Sequence, residues 1–175
     1  MSGRILALLL VAAGLIAGGA LYYLQVYGFY HEVAARPGED VTLVALSDGQ
    51  AVSIRYADFR AIDADSSPIR YRACFTTDMG LDDLSAAFVA VEDIEPRNAP
   101  GWFDCFDTGA LAAALEDGTA RAYLGGKNVA YGVDRIVAIT EDGRGFVWHD
   151  LNACGDKAYD GTVIGEACPP RPETN

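Results

Sequence analysis

His149 is the side chain in this sequence whose type best suits proton transfer. An imidazole titrates at about pH 6.5, and His149 is followed directly by Asp150. No Gly-x-Ser-x-Gly or Ser-x-x-Lys motif accompanies it, so a serine hydrolase is disfavoured. We take His149 and Asp150 as a candidate polar site. The more ordinary interpretation is a histidine that is hydrogen-bonded within a strand.

Arginines are concentrated in one part of an otherwise acidic sequence, at positions 55, 60, 70 and 72. Arg70 and Arg72 alternate with apolar residues in the run 69–75, so a half-buried strand would place both on one face. If Arg55 lies on the neighbouring strand, three guanidinium groups form a fork for a carboxylate or phosphate. We therefore take Arg55, Arg70 and Arg72 as a candidate anion-binding site. The alternative is that these arginines neutralise nearby acids on a solvated face.

The four cysteines stand far apart, at positions 74, 105, 154 and 168. Their spacing excludes a Cys-x-x-Cys redox motif and a zinc site built from closely paired ligands. Separated cysteines in an even number are typical of disulfides in an oxidising compartment. Of the three possible connectivities we favour Cys74–Cys105 with Cys154–Cys168. The second bridge would close a loop of ~15 residues and add ~3 kcal/mol of stability.

A calcium loop is suggested by Asp63 and Asp65 but fails on inspection. An EF-hand needs a glycine at its sixth position and a glutamate at its twelfth, and the chain has Pro68 and Cys74 there. We predict no metal and no cofactor.

All these candidates follow one uncharged apolar segment, Ile5–Leu24. At about 1.5 Å per residue this segment spans about 30 Å, the hydrocarbon thickness of a bilayer. Aromatic residues crowd its C-terminal end, as they do at membrane interfaces, and Arg4 marks its N-terminal end as cytoplasmic. We predict a transmembrane helix over 5–27, preceded by a cytoplasmic N-terminus, 1–4. The remaining chain is then outside, in the periplasm if the cell is Gram-negative.

A cleaved signal peptide is the competing interpretation, because residues 18–20 are small enough for cleavage. The apolar run continues past this point, and we therefore favour an anchor in the inner membrane that is not cleaved. Gly14 and Gly18 form a Gly-x-x-x-Gly pair, which allows close contact between helices. A homodimer held by this face of the helix is one option.

Beyond the anchor, the sequence predicts a juxtamembrane linker over 28–40, a folded domain over 41–168 and a disordered tail over 169–175. Strand-like runs flank Asp-Gly at 48–49 and again at 142–143, which predicts two β-hairpins. Two short helices are expected after Asp78 and after Asp107. These features together predict an α+β domain with a mainly antiparallel sheet and two short helices.

The charge of the chain limits its partners. Asp and Glu number 25 against 13 Lys and Arg, giving a net charge of -12, and all the acids follow the apolar segment. Such a domain repels phosphate backbones, so nucleic acid is excluded, and peripheral lipid binding is disfavoured. A basic partner, or solubility alone, fits better.

Three stretches carry a resemblance to a known family: MSGRILALLLVAAGLIAGGALYYLQVYGFY, IDADSSPIRYRACF and YGVDRIVAITEDGRGFVWHDLNACG. Together they resemble an uncharacterised family of alphaproteobacterial single-pass membrane proteins, a domain of unknown function. The resemblance covers nearly the whole chain. It implies an anchor and a location in the bacterial envelope, and it implies no activity.

Three functions are compatible with the sequence. The first, which we favour, is an interaction or assembly module that binds a protein partner in the cell envelope. The second is a sensor or binding domain for a small anion, using Arg55, Arg70 and Arg72. The third, least favoured, is an enzyme with a site near His149. A flat or apolar patch without a cavity would favour the first function. A cavity lined by Arg70 and Arg72 would favour the second, and a cleft joining His149 to a carboxylate and a nucleophile would favour the third.

Overall fold

A computed structural model describes residues 3–170 of the chain. The predicted disordered tail lies outside the described residues from position 171 onward, as do the first two residues of the predicted cytoplasmic N-terminus.

The chain begins with one long apolar helix. Helix α1 spans Gly3–Tyr23 and continues as a π-helical segment, Leu24–Gly28. Its most apolar stretch is not buried against the rest of the protein. The helix is therefore long and apolar enough to cross a membrane, as the sequence predicts.

A domain of eight strands and two short helices follows this helix, which is the predicted anchor. In chain order its elements are β1 (His31–Glu32), β2 (Thr42–Val44), β3 (Ala51–Ser53), β4 (Ala57–Asp63), β5 (Arg72–Thr76), α2 (Leu81–Ala87), α3 (Thr108–Asp117), β6 (Ala120–Ala130), β7 (Val133–Thr140) and β8 (Arg144–Leu151). Six strands form one sheet in the order β1-β4-β5-β8-β7-β6, and every pair of neighbours is antiparallel. Strands β2 and β3 form a separate hairpin. The predicted α+β class with an antiparallel sheet is confirmed.

The six-stranded sheet is covered on both faces, and each face has its own apolar core. Alternate residues of β5 divide between the two, with Ala73 and Phe75 in one core and Cys74 in the other. The first core is completed by Leu84 of α2 and by the β2–β3 hairpin. The second is completed by Leu111 of α3 and by the segment 94–106. Because both faces are covered, the central strands β5, β7 and β8 are buried over most of their length.

Local sequence signals account for the turns and the helix ends. Gly49 and Gly143 adopt φ values of +71° and +82° in the two Asp-Gly hairpins, a conformation that favours glycine. The side chain of Asp107 accepts a hydrogen bond from the backbone of Ala110 at the start of α3, and Gly118 ends that helix in the left-handed region. Both predicted hairpins and both predicted helices are confirmed.

Two strands differ from their sequence-based description. Strand β4 was not expected, because Asp58 has a φ of +53° and a bulge there interrupts the alternation of side chains. The run 69–75 was expected to be a half-buried strand. It begins only at Arg72 as β5, and its residues 72–75 are buried on both faces because each face is covered.

The four cysteines form the two favoured pairs. Cys74 is bonded to Cys105, which ties the centre of the sheet to the segment before α3. Cys154 is bonded to Cys168 and closes the C-terminal segment on itself. These bonds indicate an oxidising compartment.

The predicted linker, 28–40, is packed against the domain at both of its ends. His31 and Glu32 pair with β4, and the backbone N–H of Val33 donates to Ala61. Asp40 is buried and accepts a hydrogen bond of 2.8 Å from the hydroxyl of Tyr56. The folded domain therefore starts within the predicted linker, at His31.

Close packing of β5 against β8 predicts that Gly145→Ala is destabilising. A Cβ atom at position 145 would lie only 2.1–2.4 Å from ring atoms of Phe75, and such overpacking costs ~1–3 kcal/mol. The matched control is Gly126→Ala in β6, whose Cβ would meet Val129 at an ordinary 3.4 Å. We expect urea unfolding to show a lower free energy of unfolding for the first variant only. Equal values for the two variants would contradict the packing.

Candidate functional site

Arg72 is buried in the second core rather than exposed on a solvated face. Only 5% of its surface is accessible, and its guanidinium donates to the backbone carbonyls of Ile69, Tyr71, Arg97 and Asn98 at 2.7–3.2 Å. Burial lowers the pKa of this guanidinium to about 10, which leaves it charged at neutral pH. All of its donors face carbonyl groups of the protein, so Arg72 holds the 97–98 turn against β5.

The three arginines of the candidate anion site lie apart. Arg70 precedes β5, and its guanidinium donates to Gln25 at the end of the anchor. Arg55 pairs with Asp78, which follows the other end of β5. The neighbours of β5 are β4 and β8, and Arg55 lies on neither, so the position considered for it beside β5 is wrong. The shared strand face of Arg70 and Arg72 is wrong as well, because β5 begins only at Arg72. Anion binding by these residues stays a prediction, but the three guanidinium groups do not form the expected fork.

His149 is buried in β8, where both of its ring nitrogens are occupied. Its Nδ1 lies 2.8 Å from the carbonyl oxygen of Pro68, and its Nε2 lies 3.2 Å from Nε of Arg135. The ring stacks on Tyr71 at 4.7 Å, and the guanidinium of Arg135 covers the same tyrosine. A carbonyl only accepts and a guanidinium only donates, so the ring is neutral with its proton on Nδ1.

This arrangement does not suit a general base. The lone pair of Nε2 is the only place where His149 could accept a proton, and the Nε–H of Arg135 points at it. Burial, with a smaller contribution from the charge of Arg135, lowers the pKa of His149 to about 4. The ring therefore acts as a hydrogen-bond acceptor within the sheet.

Asp150 lies on the opposite face of the sheet from His149. Its carboxylate accepts from Nε of Arg97 at 2.9 Å and from the backbone N–H of Leu151 at 2.8 Å. Consecutive residues of a strand point to opposite faces. The two members of the candidate polar site are therefore separated by the sheet. The exposed His31 pairs with β4 near the anchor, away from both.

The end of the anchor is fastened to the domain by two side chains. Besides the Arg70–Gln25 contact, the indole N–H of Trp102 donates to the carbonyl of Val26 at 2.7 Å. Trp102 also stacks on Tyr27, with ring centroids 6.2 Å apart. We call this set of contacts the anchor junction. The anchor junction could not be predicted from sequence patterns, because it joins residues that are 45 and 76 positions apart.

A groove lies on the side of the domain that α3 covers. It has a volume of about 1020 Å³ and runs between the segment 90–96, the second half of α3 and the start of β6. Its apolar lining includes Val91, Ile94 and Leu115. We call it the acidic groove, after the charges on its walls.

Four carboxylates line the acidic groove, and none has a hydrogen-bond or ion-pair partner among residues 3–170. They are Glu92, Asp93, Glu95 and Glu116. The one basic residue of the lining, Arg121, donates instead to Asp82 at 3.1 Å and to Ser85 at 2.9 Å, both on or next to α2. The groove therefore combines an apolar lining with uncompensated negative charge.

Two further expectations concern metals and the anchor. In the part of the chain that the structure describes, no three His, Cys, Asp or Glu residues are arranged to hold a metal ion.

Gly14 and Gly18 lie on α1 with open space where a Cβ would stand, so a second helix can approach there. Dimerisation through this face stays a prediction.

Burial of the neutral His149 predicts a loss of stability in mild acid. Its pKa of about 4 in the folded protein is below the ~6.5 of an unfolded chain, so only the unfolded state gains a proton between these values. Stability is complete above pH 6.5 and falls as the pH drops toward 4, by ~2 kcal/mol between pH 7 and pH 5. Urea unfolding should show this fall in the wild type and in His31→Gln, and not in His149→Gln. An unchanged pH profile for His149→Gln would contradict the assignment.

Comparison with known proteins places the chain in one family. Residues 41–169 match the Family of unknown function (DUF6446), a range that covers most of the chain and begins after the anchor. No curated protein and no solved structure matches significantly. Membership in a family of unknown function, expected from the sequence, is confirmed. The chain belongs to DUF6446, a family of unknown function.

Proposed function

We propose that this protein is a membrane-anchored interaction module of the cell envelope, whose domain binds a basic segment of a protein partner in the acidic groove. The helix is not cleaved, the N-terminus is cytoplasmic, and the domain stands on the periplasmic side of the inner membrane. The observation that carries the proposal is the groove itself, with its apolar lining and its four unpaired carboxylates.

The chemistry of the groove favours a peptide with basic and apolar side chains. Apolar residues of a partner would be buried against Val91, Ile94 and Leu115, while lysines or arginines would meet the carboxylates on the walls. Addition of a strand at this edge of the sheet is blocked. The segment 89–91 already hydrogen-bonds to β6 on one side and, through Val89, to β2 on the other. Recognition would therefore depend on side chains.

The anchor and the disulfides support the proposed location. An apolar helix near an N-terminus is also found in cleaved signal sequences, but here the end of the helix is part of the folded structure. The two bridges require oxidation, which the periplasm provides and the cytoplasm does not. Arg55 is paired with Asp78 and Arg72 is occupied by backbone carbonyls, so the three arginines do not form a common site for a soluble anion. Both ring nitrogens of His149 are occupied as well, so no comparable observation favours the enzyme.

Retention of the helix is the first test. We expect the mature protein to keep residues 5–30, because the anchor junction fastens Gln25 and Val26 to the domain. The measurement is the intact mass of the protein purified from native membranes, with N-terminal sequencing. A soluble mature form that begins near Leu21 would contradict the anchor.

Photo-crosslinking in native membranes tests the groove. A crosslinking amino acid at Ile94, in the groove, should give one discrete adduct, and the same amino acid at the exposed Val52 on β3 should give none. The crosslinked peptide of the partner, identified by mass spectrometry, should contain lysines or arginines close to the crosslink. High salt should reduce the yield of the adduct.

Matched charge variants complete this experiment. Combining Glu92→Gln, Glu95→Gln and Glu116→Gln removes three charges from the groove and should reduce the adduct by about tenfold or more. The control removes three charges elsewhere with Asp65→Asn, Asp83→Asn and Glu141→Gln, and should leave the adduct unchanged. An adduct that forms equally from Val52, or that responds equally to both sets of changes, would contradict the proposal.

A further inference from the structure

We infer that the folded domain itself enters the headgroup layer of the membrane at the anchor junction, where Arg70 binds the phosphate of a phospholipid. This inference rests on the retained anchor of the proposed function and goes beyond the binding of a protein partner. It assigns a role to a side of the domain that the acidic groove does not use.

The depth of Arg70 follows from its contacts with the anchor. The apolar run Ile5–Leu24 spans about 30 Å, so Gln25 and Val26 are the first residues to reach the headgroup layer. The guanidinium of Arg70 donates to the backbone carbonyl of Gln25 at 3.1 Å and also to its side-chain oxygen. Trp102 donates to Val26, the next residue. Arg70 and Trp102 therefore lie at the depth of the lipid phosphates and carbonyls.

The charge of Arg70 is not neutralised by the protein. Arg60 and Arg97, by contrast, each pair with a carboxylate, from Asp104 and Asp150. Both hydrogen-bond acceptors of Arg70 are neutral oxygens of Gln25. Its guanidinium has five N–H groups in a planar fork, so donors remain for the oxygens of a phosphate.

Aromatic rings hold Arg70 in place and suit the same layer. The guanidinium lies 5.5 Å from the ring centre of Tyr30. Tyr30 in turn meets Trp102 edge to face at 5.8 Å, and Trp102 is 38% exposed. Tryptophan and tyrosine concentrate where a membrane meets water, because one part of each ring system is apolar and another is polar. The domain thus presents a cation surrounded by interfacial side chains.

The membrane is the source of phosphate that this position favours. The domain as a whole is strongly acidic, which disfavours binding of soluble phosphate compounds. A lipid phosphate next to the anchor is held close to Arg70 by the membrane itself, so it needs no attraction over a distance. The site is therefore one for a phospholipid headgroup.

Native mass spectrometry of the full-length protein, purified in detergent with phosphatidylglycerol, tests the binding of lipid. We expect the wild type to retain phosphatidylglycerol and Arg70→Gln to retain about tenfold less, the loss expected for a charge-assisted hydrogen bond. Arg55→Gln is the matched control, because Arg55 is exposed and pairs with Asp78 at the far end of β5. Arg70→Lys keeps the charge and should show an intermediate loss. Equal retention by Arg70→Gln and the wild type would overturn the inference.

Two further measurements test the source of the phosphate and the depth of Trp102 in the membrane. Inorganic phosphate at millimolar concentration should leave the lipid bound, and its displacement of the lipid would overturn the assignment to a headgroup. In bilayers, the fluorescence of Trp102 should be quenched more by lipids that are spin-labelled at the headgroup than by lipids labelled at the chain end. Trp102→Phe gives the background from Trp148, which is fully buried. Quenching of Trp102 by neither label would overturn the inference, while the intact mass of the same sample tests retention of the anchor separately.

Discussion

The burial of strand β5 on both faces is the constraint on which the rest of the domain depends. A strand in this position needs an apolar cover on each side, and the chain supplies the two covers from different parts of its sequence. The cover over the second core includes the irregular segment 94–106, which has few backbone partners of its own. From within β5, Arg72 donates three hydrogen bonds to the carbonyls of residues 97 and 98 in this segment, and the Cys74–Cys105 bond fixes its far end.

Fixing this segment determines two surfaces at once. Its beginning, up to Pro96, forms one wall of the acidic groove, and Trp102 in its later part contacts the anchor. The carboxylates of the groove have no partner among residues 3–170, whereas Arg60 and Arg97 are paired and Arg70 faces the anchor.

The sequence predicted the elements whose signals are local. The Asp-Gly hairpins depend on the positive φ of Gly49 and Gly143, and helix α3 depends on its cap at Asp107. The burial of Arg72 could not be predicted from alternation, because alternation does not reveal whether the second face of a strand is covered. Strand β4 was missed because the backbone of Asp58 breaks its regular pattern.

The sites were harder to predict than the fold. His149 and Asp150 are adjacent, and consecutive strand residues point to opposite faces, so their separation was accessible from the sequence alone. The acidic groove was not accessible, because its walls come from the segment 90–96 and from α3, and only the packing of the sheet brings them together. The same is true of Arg70, whose partner Gln25 lies 45 positions earlier.

The anchor junction has a mechanical consequence. Because Gln25 and Val26 are hydrogen-bonded to Arg70 and Trp102, the last turn of the helix cannot swivel independently of the domain. When α1 crosses a membrane, the rotation of the helix about its own axis therefore determines the direction in which the acidic groove faces. Successive residues of an α-helix differ in direction around that axis by about 100°. A second helix that packs on the Gly14–Gly18 face in the bilayer would consequently also determine the direction in which the distant groove faces along the membrane surface.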